Sequence, residues 1–138
     1  MTTPTSMIFR EAAMLGRRAL IDGTIGGCLE FYPMTPPARS DLSAGQILLC
    51  KINFELPCGP VTIDSNTFVV QLNATVPRTS LALVTGLIGW ARLATSSGQG
   101  LCDLPVGLPA SGKPVIVTDL QLYAGGEITL LSMIVREA

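Results

Sequence analysis

Histidine does not occur in the 138 residues of this chain. Its absence removes every Ser-His-Asp and Cys-His nucleophile pair, every imidazole metal ligand and the usual general base near neutral pH. Charge is scarce: Asp, Glu, Lys and Arg make up 14% of the chain, where a soluble domain carries about 25%. Nine basic residues against ten acidic ones leave a net charge of −1, so the basic excess of a nucleic-acid-binding surface is missing. Aromatics reach only 5%, too few for a base-stacking platform. The longest uncharged stretches, 65–77 and 79–91, span 13 residues each, short of the roughly 18 apolar residues a membrane-spanning helix requires. Residues 1–23 contain no apolar leader, being interrupted by Glu11 and Arg17-Arg18. The expectation is a protein made in the cytoplasm, with no membrane and no nucleic acid among its partners. The four cysteines, Cys28, Cys50, Cys58 and Cys102, form no CxxC pair, which argues against zinc. They read as small buried thiols, although Cys50 and Cys58 are spaced to face each other across a hairpin.

What the chain does have is apolar bulk: 48% of its residues and a mean hydropathy of +0.49. The length suits one domain. Residues 1–7 are polar, contain Pro4 and read as a flexible arm. Residues 8–23 read as a helix, with Ile8, Ala12, Leu15 and Leu20 near one stripe and Gly23 as the stop. From residue 28 to 138 short apolar segments alternate with Gly and Pro signals. Strands are expected at 28–33, 46–55, 60–64, 67–76, 83–94, 101–107, 115–123 and 127–137, with Ser65-Asn66 as a hairpin turn. About eight short strands after one helix predict a mainly β protein, an antiparallel sandwich of jelly-roll type.

The last strand carries Ile128, Leu130, Ser132 and Ile134 on one face and Thr129, Leu131, Met133 and Val135 on the other. Strict alternation makes both faces apolar. Either the strand is covered within the subunit or a second chain covers it. Trp90 and Arg92, two residues apart on one strand, share a face; Trp90 is expected to anchor the core or an interface, with Arg92 lying over it.

Motifs for chemistry are weak. Gly98-Gln99-Gly100 and Ala124-Gly125-Gly126 read as turns, since neither continues as GxGxxG or GxxxxGK[ST]. Asp103 and Asp119 fall within strand segments with no spacing that implies a catalytic pair. No catalytic, cofactor or metal set is predicted.

Several segments taken in order do carry a resemblance. They are ALIDG (19–23), LEFYPMTPPARSD (29–41), QILLCKINFE (46–55), GWARLATSSGQGLCDLPVG (89–107) and YAGGEITLLSMIV (123–135). This order of helix, strand with Pro-rich loop, WxR strand with Ser-Gly turn, and closing AGG-x-[IV]-T strand resembles a family of small structural proteins of tailed bacteriophage virions. The resemblance implies a β-rich virion component without catalytic residues, foremost a capsid decoration (cement) protein that binds the major capsid protein and itself, as dimer or trimer. A neck or tail component is the nearest alternative, and a soluble ligand-binding β module the next. The contact residues expected on this basis are Ile8, Phe9, Leu15, Trp90, Arg92, Leu131, Met133 and Val135.

Overall fold

The computed structural model describes residues 7–22, 27–39, 45–54, 61–64, 67–72, 78–95 and 97–136. The expected pairing of Cys50 with Cys58, the arm at 1–6 and the turn at Ser65-Asn66 lie outside these residues.

The protein is mainly β, with one helix. Helix α1 runs Met7–Asp22, and twelve strands come after it among the described residues. They are β1 (Cys28–Tyr32), β2 (Cys50–Asn53), β3 (Val61–Asp64), β4 (Thr67–Leu72), β5 (Arg78–Leu81), β6 (Gly86–Leu87), β7 (Trp90–Ala94), β8 (Gly100–Leu104), β9 (Val106–Gly107), β10 (Val115–Val117), β11 (Gln121–Leu122) and β12 (Glu127–Arg136). One sheet has the order β2-β1-β7-β8; a second runs β3-β4-β12-β10-β9, with β5 also on β12; β6 and β11 form a two-stranded ribbon. Pairings are antiparallel except β9 with β10.

Among the described residues one apolar core cluster draws on both larger sheets. Leu29, Phe31, Ile52, Ala91 and Leu93 come from one and Val106, Val115, Val117, Ile128, Leu130 and Met133 from the other. The sheets are tied at one side, where Ser80 Oγ of β5 donates to the Lys51 carbonyl of β2 at 3.0 Å. Beyond β8, Pro105 separates two strands that belong to different sheets. Proline cannot donate to a ladder, so the predicted single strand at 101–107 changes sheet there.

The eight expected strands are twelve among the described residues, and 115–123 too is two strands, β10 and β11, in different sheets; three more expectations are revised. The stretch 83–94 is two strands, because the chain breaks at Ile88-Gly89: Gly89 N donates to the Tyr32 carbonyl at 2.8 Å. A Cβ on Gly89 would overlap the Met34 carbonyl oxygen. The closing strand does not alternate strictly. Ile116 pairs with Ser132 but Val117 pairs with Leu130, so Leu131 is an extra residue, a bulge. A bulge reverses the inward–outward parity of the residues beyond it. Ile128, Leu130 and Met133 therefore all turn into the core, while Leu131 is 37% exposed. One face of β12 is covered by its own chain. Finally, α1 buries Met14 and Ile21 rather than the stripe of Ile8, Ala12, Leu15 and Leu20, which faces solvent. The helix lies against β3 and β4.

Candidate docking surface

Trp90 opens β7 and lies opposite Tyr32, the last residue of β1. Side chains alternate across β7, so Ala91 and Leu93 point to the core while Trp90 and Arg92 point outward with Tyr32 of β1. These outward residues are nonetheless enclosed, Trp90 at 1% and Arg92 at 5% exposure. The Trp90 and Tyr32 rings stack at 4.8 Å. Trp90 Nε1 donates to the Pro33 carbonyl and to Gln46 Oε1, both at 3.0 Å. The indole thereby holds both ends of the Pro-rich connection between β1 and β2. Gln46 Nε2 in turn donates to the Thr35 carbonyl at 2.7 Å. Arg92 Nε and Nη2 donate to the two Asp103 oxygens at 2.7 and 3.1 Å, and its guanidinium lies 5.3 Å from the Trp90 ring centroid. Hydrogen bonding to Asp103 raises the pKa of Arg92 above its ordinary value. A fork-to-fork pair of this kind is neutral and geometrically fixed; it ties β7 to β8.

That anchored loop is one part of a wider network. Leu49 N donates to Phe31 O at 2.9 Å and Leu83 N to Leu49 O at 2.8 Å. Ala82 exchanges bonds with Gly125 and Gly126, each 2.8 Å. Ala124 N reaches Thr85 Oγ1 at 2.9 Å, and Ile88 N reaches Leu120 O at 2.8 Å. Segments 32–37, 46–49, 79–91 and 120–126 are thus bound into one unit, and none of them contains a charged residue. Large apolar side chains project from it: Met34 at 75% exposure, Ile47, Leu81, Leu83, Leu87 and Tyr123. Met34 is displayed at a backbone cost, since its φ is 66°, the left-handed region that favours glycine. Exposed apolar side chains gathered on one bonded unit are the kind of surface that contacts another molecule.

The residues expected to make contacts fall into two groups. Trp90, Arg92 and Met133 are enclosed within the subunit and present no surface to a partner. Trp90 and Arg92 lie under the Pro-rich loop, and the bulge turns Met133 inward. Ile8 and Leu15 are exposed on α1, and Leu131 on the bulge. Val135 is half-buried. Phe9 lies on α1, with its side chain outside the described set. The apolar residues of the loop network escaped sequence reasoning; the charge-free run at 79–91 was the signal that pointed to them.

Cys28 and Cys50 are buried and unpaired with other sulfur, and Cys102 is half-buried. Burial pushes each of these thiols up from its ordinary value of 9.0. Among the described residues no group of three His, Cys, Asp or Glu could hold a metal ion, and no helix is long and apolar enough to cross a membrane. A cleft of about 320 Å³ between α1 and β8, lined by Leu20, Ile21, Leu93, Leu101, Cys102 and Val135, carries Arg17 at its side. No protein-family model, curated protein or solved structure matches the chain.

Proposed function

We propose that this protein is a structural subunit of a tailed-bacteriophage virion, a capsid decoration protein that attaches to the major capsid protein and stabilises the shell. In this reading its two larger sheets are a jelly-roll-type sandwich, and the protein is assembled in the host cytoplasm and resides on the capsid surface. One observation carries the reading: the uncharged, hydrogen-bonded network that projects Met34, Ile47, Leu83, Leu87 and Tyr123 into solvent. A rigid apolar face is what repeated attachment to a lattice needs. Each apolar contact contributes at most about 25 cal/mol per Å² before the cost of association, and a lattice lets many modest contacts act together. The order of its segments, which resembles that of small phage virion proteins, points to the same assignment.

The test compares phage particles that carry wild-type protein with particles that carry Leu83→Asp or Leu87→Asp, and with particles lacking the protein. Both side chains are exposed, so the charge leaves folding intact while removing attachment. Wild-type protein should co-sediment with particles and raise their heat tolerance, and the variants should do neither. Equal heat tolerance in all three preparations would overturn the assignment.

A further inference from the structure

Helix α1 is amphipathic in an unusual sense. At about 100° per residue, its buried line runs through Met14 and Ile21. Arg10 and Arg18 beside that line are half-buried, and Arg17 Nη1 lies 3.5 Å from Met14 Sδ. The opposite half of the helix has no charged or polar position, and Ile8, Ala12, Leu15, Ala19 and Leu20 on it are exposed. Ile8 is 83% exposed, Leu15 38% and Leu20 56%. Within it Ile8, Ala12, Leu15 and Ala19 follow steps of four, three and four, the spacing of a two-helix seam.

We infer that this face is the seam of a homodimer in which α1 packs antiparallel against α1 of a second copy. Residue size selects that occupant and that direction. Reversing the helix sets Ile8 opposite Ala19 of the copy and Leu15 opposite Ala12, so each large side chain meets a small one at both symmetric halves. A parallel pair would set Ile8 on Ile8 and Ala12 on Ala12, crowding one layer and leaving a gap in the next. Charge selects the same direction. Glu11 and Arg18 flank the seam on one side, about two turns apart, and in an antiparallel pair the same flanks of the two helices adjoin. Glu11 of each copy then meets Arg18 of the other, as an isologous two-fold contact demands. Arg18 is already engaged within its own chain, but a guanidinium has five N–H donors, enough for a second carboxylate. The helix is about 24 Å long, so the contact belongs to the small class, under about 1,200 Å², and the dimer dissociates on dilution.

Sedimentation equilibrium of the full chain over rising protein concentration tests the pairing. Wild-type protein should show a monomer–dimer equilibrium. Ala12→Glu, on the exposed seam, should abolish it. Glu11→Arg alone and Arg18→Glu alone should each weaken it about tenfold, two exposed ion pairs being lost at once. The double variant Glu11→Arg/Arg18→Glu should restore the wild-type constant. A wild-type chain that stays monomeric, an Ala12→Glu chain that still dimerises, or a double variant no better than the singles would each overturn the inference. Particles take no part in the measurement, so the dimer and the capsid assignment fail independently.

Discussion

Replacing Asp103 with Ala takes the bidentate partner from Arg92 and leaves Glu30 opposite it on β1, and the structure sets the size of the effect. The side chains of the pair are 7% and 11% accessible, and two N–H···O bonds join them. An exposed pair would be worth about 0–1 kcal/mol. Removing one partner from a buried pair typically costs about 3–5 kcal/mol, because the remaining charge stays desolvated. Part of that is recovered here. The face of Trp90 continues to attract the cation, by about 1 kcal/mol, so a loss of about 2–4 kcal/mol is expected for Asp103→Ala. Against a total stability of about 5–15 kcal/mol for a domain, this is a large fraction. Urea unfolding should show the midpoint falling with an unchanged slope. The double variant Arg92→Leu/Asp103→Leu removes both charges and fills similar volume, which is close to neutral for buried pairs. With Arg92→Leu and Asp103→Leu as the single variants, the double-mutant cycle should therefore report coupling of at least about 2 kcal/mol. A loss below about 1 kcal/mol for Asp103→Ala would mean that water reaches Arg92. That result would refute the picture of a loop sealed over the outer side of the sheet.

Three further outcomes are expected. Met34→Gly relieves a left-handed backbone at an exposed position; stability should hold or rise by up to about 1 kcal/mol, while attachment to particles falls, as read by urea unfolding and co-sedimentation. Gly89→Ala should prevent stable folding because its Cβ meets the Met34 backbone, whereas Gly98→Ala, at φ 93° with open space around it, should cost only about 1–2 kcal/mol; circular dichroism melts separate the two. The buried thiols of Cys28, Cys50 and Cys102 hold their protons more tightly folded than unfolded. Their contribution is therefore full below about pH 9 and is lost as pH rises through the higher folded values. Stability measured from pH 7 to 11 should decline only on the alkaline side, and less so in a Cys28→Ala/Cys50→Ala variant.

Local signals made much of the fold legible. The helix ends, β1, and the two strands flanking Ser65-Asn66 are readable from periodicity and from glycine and proline punctuation. Features that depend on a partner strand were not legible. Nothing in EITLLSMIVR marks Leu131 as a bulge, because a bulge is defined by what Ile116 and Val117 oppose across the ladder. The apolar stripe of α1 was visible, but not its direction; periodicity identifies a face, and tertiary packing decides whether that face is the inside. Trp90 and Arg92 were correctly placed on one face of one strand. That face is buried because the Pro-rich connection folds over it, and loop trajectories leave no periodic trace.

The hydrogen bond from Ser80 to Lys51 bears on how one sheet edge is guarded. A subunit with this much grease runs the hazard of polymerising by adding backbone to backbone, as fibrils do. Here β5 lies beside β2, and the Ser80 hydroxyl occupies one carbonyl of that edge. Contact through side chains saturates once a complementary surface is covered, whereas backbone zippering has no natural end.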